Sequence, residues 1–178
     1  ATIENATTTE NNNLAVPIDP LFLEHIFNYN LKKDDEFLLN SISTDSRTSH
    51  PNSLFFALKG DNFDGHKFVE NVIQNNCWAI VNADCKFEHN RLIKVENTLH
   101  AYGKLASKYK SFFDVFSIAI TGIYGKTTTK EFLANILQQK THTLKTFGNE
   151  NNLIGLPKTI FKLQAKHNFG IFEIGTNQ

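Results

Sequence analysis

Methionine is absent from this sequence, cysteine occurs twice and tryptophan once, and neither sign of charge is in excess. Each shortage removes a class of explanation. Cys77 and Cys85 are too few for a disulfide framework, and too few for a zinc site without several partners nearby. They are expected to be reduced thiols, which places the protein in the cytoplasm. Eighteen Lys and Arg balance eighteen Asp and Glu, for a formal net charge of zero. Such a balance argues against nucleic acid or an acidic membrane as partner, so any bound anion must be held locally. No run approaches the roughly 18 apolar residues of a membrane span. The first ten residues lack the basic and apolar regions of a secretory signal. The missing methionine fits a processed or trimmed piece of a longer product. What is present, 178 residues of which 40% are hydrophobic and 20% charged, suits a folded chain that needs no metal or disulfide staple.

The polar, Thr- and Asn-rich stretch 1–13 is expected to be a flexible tail. Pro20 to Phe27 predicts a short helix with Asp19 as N-cap and Pro20 at its first position. A charged turn follows at Lys32 to Glu36. Short strands are expected at Ser41 onward, Ser53–Lys59, Cys77–Val81 and Leu92–Val95, with helices over Gly65–Asn76 and Asn97–Phe113. Val115 to Ile120 reads as a strand buried on both faces of a parallel sheet. The next helix, Lys126 to Gln139, should turn Phe132, Leu133, Ile136 and Leu137 to the core. A strand at His142–Thr146, a helix at Leu153–Leu163 and a buried strand at Phe169–Ile174 complete an α/β pattern of mainly parallel sheet. The boundary between two units is expected at Phe113–Asp114. The second unit, 114–178, shows only three strands and reads as a truncated domain.

The sharpest motif is Thr121-Gly-Ile-Tyr-Gly-Lys-Thr-Thr-Thr-Lys130, set between an apolar strand and an amphipathic helix. That context is what a phosphate-binding loop requires. Gly122 and Gly125 allow backbone angles closed to other residues, so successive amides can point into one concavity. The helix N-terminus adds partial positive charge at the same place. Lys126 supplies a full charge for terminal phosphates, and the Thr127 hydroxyl is sited for Mg²⁺. The Thr121, Ile123, Tyr124 and Thr128 backbone complete the cradle. The first glycine falls at Gly122, whereas Ile120 stands where the general phosphate-loop pattern has its first glycine.

This spacing resembles that of the Mur ligase and folylpolyglutamate synthase superfamily. Leu54-Phe-Phe-Ala-Leu-Lys-Gly-Asp-Asn-Phe-Asp-Gly-His-Lys-Phe68, preceded by Ser43-Thr-Asp-Ser-Arg47, is similar to the N-terminal domain of UDP-MurNAc-peptide ligases. Gly148-Asn-Glu-Asn-Asn-Leu-Ile-Gly-Leu-Pro157 and Glu173-Ile-Gly-Thr-Asn177 look like the branch that adds D-alanyl-D-alanine to UDP-MurNAc-tripeptide. Within the phosphate loop, Ile123 and Tyr124 replace the small or polar residues usual in that family.

The resemblance implies a small UDP-substrate-binding domain over 14–113 and the first part of a central ATP-binding domain over 114–178. It implies ATP and Mg²⁺, with Thr127 and Glu173 at the metal and Lys126 and Glu173 as the catalytic pair. One of Asn151 and Asn152 should face the ATP or acyl-phosphate site, though both also suit a helix N-cap. Thr44, Asp45, Ser46, Arg47, Asp64 and His66 should serve the UDP moiety. A lysine that positions Mg²⁺ and a C-terminal domain that closes over ATP would lie outside these residues. A monomer is expected, and this chain alone should be inactive. Two alternatives stay open: another ligase of the superfamily, and a stand-alone nucleotide-binding module without ligase chemistry.

Overall fold

Two sheets share the chain, and their strand orders explain where a ligand can sit. The computed structural model describes residues 13–29 and 37–175. The stretch 1–12, the turn Lys32–Glu36 and Asn177 lie outside the described residues.

The first sheet runs β1 (Asn13–Ile18), β2 (Leu39–Ser43), β3 (Ser53–Phe56), β4 (Trp78–Asn82) and β5 (Leu92–Val95), in that order. β1 is antiparallel to β2 and the others are parallel. Alternation along the strands sends Leu54, Phe56, Trp78 and Ile80 into one core cluster, with Leu23, Leu105 and Tyr109. Phe55, Ala79 and Val81 enter a second cluster with Val69 and Val72. The helices responsible are α1 (Pro20–Phe27) and α3 (Thr98–Lys110) on one face and α2 (Val69–Gln74) on the other. Helix α1 starts as the sequence predicts, since the Asp19 side chain accepts the Phe22 amide at 2.8 Å.

The second sheet holds β6 (Phe116–Ile120), β7 (Thr143–Lys145) and β8 (Phe169–Glu173), all parallel, with β8 in the middle. Helices α4 (Lys126–Gln138) and α5 (Gly155–Ile160) connect them. Among the described residues, no helix is long and apolar enough to cross a membrane.

Several expectations need correction. Asn13 belongs to a strand rather than to the tail, and β1 itself has no counterpart in the sequence reading. Strand β6 is not buried on both faces: as an edge strand it has β8 on one side only, and none of its residues is buried. Helix α4 buries Lys130 and Ala134, while Phe132 and Ile136 stand in solvent. Helix α5 is shorter than Leu153–Leu163: Leu153 and Ile154 form the turn before it, and Phe161 ends it. The larger core cluster also crosses Phe113–Asp114. Val115, Ile160, Phe161, Leu163 and Phe172 join it, and the Phe161 ring lies 5.4 Å from Tyr102 and 5.5 Å from Tyr109.

Candidate active site

The register of the second sheet builds the site. Ile120 pairs with Glu173, and the Ile174 amide donates to the Ile120 carbonyl at 2.9 Å. The loop Thr121–Gly125 therefore leaves β6 at the level where β8 ends in an acid. This is the carboxyl edge of a parallel sheet, where α/β folds bind ligands. Gly122 (φ 146°) and Gly125 (φ 74°) take left-handed backbone angles that an L side chain rarely adopts. Gly125 caps α4, so the first-turn amides of Lys126, Thr127 and Thr128 lack intrahelical acceptors and face the loop. Ile123 and Tyr124 project into solvent and leave the backbone to do the binding. The Lys126 ammonium folds back onto the Gly122 carbonyl at 2.7 Å, a neutral acceptor that a phosphate can displace. Thr121 and Thr128 are exposed beside it.

Glu173 is 2% exposed. A buried carboxylate needs partners, and it has three. The Thr127 hydroxyl donates across both oxygens at 3.2 and 3.1 Å, and the Asn151 amide donates at 2.9 Å. The Lys130 ammonium lies 3.4 Å from Oε2. The Glu173 backbone amide donates to Thr146 Oγ1 at 3.0 Å, which fixes the strand end. Burial pushes the Glu173 carboxyl up, but Asn151, Thr127 and the charge of Lys130 outweigh it and hold it below the usual carboxylate range.

The two asparagines divide their work. Asn151 reaches Glu173, whereas Asn152 Oδ1 accepts the Ile154 and Gly155 amides at 3.0 and 2.8 Å as a helix cap. Their loop is clamped by Gly155, where a Cβ would lie 2.6 Å from the Glu150 backbone. The residues fit a magnesium ion. Thr127 and Glu173 bring hard oxygens together at the loop, and a hydroxyl that donates its proton to Glu173 keeps its lone pairs for a metal. Among the described residues no three His, Cys, Asp or Glu side chains converge. That suits Mg²⁺, which takes one or two protein oxygens and completes its shell with water and phosphate.

A cleft of about 440 Å³ opens between the two units. Thr44 and Asp45 line it from the first, and Glu150, Asn152 and Lys158 from the second. Arg47 is gripped by Asp45, with Nε at 2.9 Å and Nη2 at 2.6 Å from its oxygens, and its side chain is 87% exposed. That guanidinium holds the Asp45 carboxyl below the usual range. Ser46 is half-buried in the same turn. Asp64 and His66 do not line this cleft. His66 Nδ1 lies 2.7 Å from Asp64 Oδ1 and Nε2 accepts the Asn82 amide at 3.0 Å, so the ring carries its proton on Nδ1 and both nitrogens are engaged. Lys130 and Thr146 escape a sequence reading. The one signal for Lys130 is its place four residues after Lys126, on the same helix face.

Residues 39–110 match the Mur ligase family, catalytic domain, and residues 120–178 match the Mur ligase middle domain. The chain belongs to the Mur ligase family. Among Mur ligases, it is 40% identical over 141 residues to the UDP-N-acetylmuramoyl-tripeptide–D-alanyl-D-alanine ligase of Buchnera aphidicola subsp. Baizongia pistaciae, covering 78% of this chain and 31% of that protein. It superposes on the MurF structure of Acinetobacter baumannii with a TM-score of 0.81 at 34% identity, over 91% of this chain and 36% of that one. The Thermotoga maritima MurF in complex with ADP aligns at a TM-score of 0.71 and 30% identity, over 77% and 32%. The chain thus spans about a third of the length of the relatives it matches.

Proposed function

We propose that the protein carrying this chain is an ATP-dependent ligase of peptidoglycan precursor synthesis, working in the cytoplasm as a monomer, that joins D-alanyl-D-alanine to UDP-MurNAc-tripeptide. The observation that carries this reading is the contact of Thr127, in the first turn of α4, with the buried Glu173 at the end of β8. It unites a phosphate cradle with a fixed anionic charge at the sheet edge. The substrates in this reading are those in the name of the Buchnera relative, UDP-N-acetylmuramoyl-tripeptide–D-alanyl-D-alanine ligase.

A carboxylate is a poor electrophile, because its leaving group would be oxide. In the proposed reaction, a carboxylate oxygen of the tripeptide attacks the γ-phosphorus of ATP and ADP departs. The D-alanyl-D-alanine amine then attacks the acyl carbon, loses a proton, and expels phosphate. Lys126 and the loop amides, including those of Ile123 and Tyr124, bind and orient the phosphates as charge shifts toward ADP. Thr127 and Glu173 would hold Mg²⁺, which screens charge on the transferring phosphoryl group. Asn151 orients Glu173 from the acceptor side. Thr44 and Asp45 take the UDP end at the cleft, Ser46 and Arg47 serve it from the same turn outside the cleft lining, and the Asp64–His66 pair fixes the end of β4 behind it.

Residues 14–113 form the substrate-binding domain in this reading, and 114–178 are part of a larger ATP-binding domain. The chain alone then binds more than it catalyses. In the full-length protein, Lys126→Ala abolishes ATP-dependent ligation while binding of UDP-MurNAc-tripeptide persists in calorimetry. Ligation at a near wild-type rate would remove Lys126 from the site.

A further inference from the structure

Lys130 is fully buried, with no exposed side-chain surface. A lysine in that position is costly, and an apolar residue of similar volume serves helix packing as well or better. The neighbouring inward position on α4 is filled by Ala134. Packing therefore does not account for an ammonium here, and its partners do. Its Nζ donates to the Gly148 carbonyl at 3.0 Å, lies 3.4 Å from Glu173 Oε2, and lies 3.5 Å from Glu131 Oε1. Three segments are tied by one side chain. Helix α4 carries Lys126 and Thr127, β8 ends in Glu173, and Gly148 opens the loop that carries Asn151.

Glu173 has no freedom left once these contacts are made. Thr127 approaches from the phosphate side, Asn151 holds Oε1, and Lys130 holds Oε2. The Gly148 bond does the same for the loop, whose backbone is left-handed at that residue (φ 50°). Without Lys130, the carboxylate keeps only its two neutral donors, and the loop loses its tether to α4. Either change removes a restraint on where Glu173 or Asn151 sits relative to Thr127, and small displacements of supporting groups matter at such sites.

We propose that Lys130 is a positioning residue for the ligation reaction: it touches neither nucleotide nor acceptor, and it locks Glu173 and the Gly148–Asn152 loop to the phosphate helix so that the metal end and the acceptor end of the site share one geometry. This rests on the ligase reading above. A purely structural lysine would affect stability alone. A positioning lysine makes the site's use of Mg²⁺ depend on it, because Glu173 is the carboxylate it aligns.

The test uses the full-length protein as wild type, Lys130→Met and Lys130→Gln. Met removes charge and tether at similar length, whereas Gln removes the charge and keeps N–H donors. In steady-state ligation, Lys130→Met lowers kcat about 10- to 100-fold and raises the Mg²⁺ needed for half-maximal rate about tenfold, the range for outer-shell partners of a metal site. Lys130→Gln falls between it and wild type. A second readout needs no turnover: calorimetric binding of ADP with and without Mg²⁺. Wild type gains affinity when Mg²⁺ is added, and Lys130→Met loses most of that gain while binding metal-free ADP as wild type does. If Lys130→Met does not fold, Lys130→Gln decides by the same two measurements. A lowered melting temperature with unchanged kcat and unchanged Mg²⁺ dependence would overturn the proposal and leave the ligase reading standing. A wild-type protein that makes no ADP when given ATP, Mg²⁺ and both substrates would instead overturn the ligase reading itself.

Discussion

Strands β3 and β6 are both short, apolar and parallel to their neighbours, yet every residue of β3 is buried and none of β6 is. β3 has a strand on each side and helices over both faces. β6 has one neighbour, and around it Phe116, Phe132, Ile136 and Phe147 stand in solvent. Burial is thus set by what lies beside and above a strand, and an apolar run states only that it can be covered. Exposed apolar side chains of this size leave the second unit with apolar surface in water. In the reading proposed here, the rest of the ATP-binding domain supplies that cover. The first unit owns its core, and the second borrows part of it through Phe161 and Phe172.

The largest effect should come from the core of the first unit. Phe55→Ala costs about 3–5 kcal/mol, the usual loss for a fully buried phenylalanine. Phe116→Ser on β6 stays within about 0.5 kcal/mol, as expected for an exposed position. Urea denaturation of both variants measures this, and equal losses would break the contrast between the units.

Glu173→Gln comes next. It leaves the buried Lys130 ammonium with only the exposed Glu131 carboxylate as counter-ion, at a cost of about 3 kcal/mol near neutral pH. The folded pKa of Glu173 lies below the ordinary value of 4.5, so its contribution is complete above pH 4.5 and is lost as pH falls through the lower folded value. The gap in melting temperature between wild type and variant should be widest above pH 4.5 and close in more acid solution. A gap that widens on acidification would reverse the sign assigned to Glu173.

The smallest effect on stability belongs to Arg47→Ala, which leaves the melting temperature unchanged because the guanidinium is in water. In calorimetry the same variant weakens UDP-MurNAc-tripeptide about tenfold, the scale of one charge-assisted hydrogen bond. Unchanged affinity would return Arg47 to the role of a surface partner for Asp45.

Much of this was legible in the residues, and the failures share a cause. The Asp19 cap, the succession of strands and helices from Ser41 onward and the strand–loop–helix at Ile120–Lys130 rest on local signals, and the structure has them where the sequence places them. β1 was not legible: Asn13–Ile18 contains Pro17 and little periodicity, and it is a strand because β2 offers an edge. The inward face of α4 is hidden from the sequence because Phe132 and Ile136 outrank Lys130 in hydrophobicity, while β7 and β8 decide which side is covered. Asn151 and Asn152 are adjacent and chemically identical, so only the fold distinguishes the one that reaches Glu173 from the one that caps α5.

The most direct measurement is native-state amide hydrogen exchange on the 178-residue chain, read on both sides of Asp114. Amides of β3 and β4 should exchange only through global unfolding, and those of β6 and α4 through local opening of lower free energy. With that pattern, UDP-MurNAc-tripeptide binds and Mg-ATP binds weakly or not at all. Equally strong protection on both sides of Asp114, together with micromolar Mg-ATP binding, would contradict an ATP-binding unit that depends on further chain to be complete.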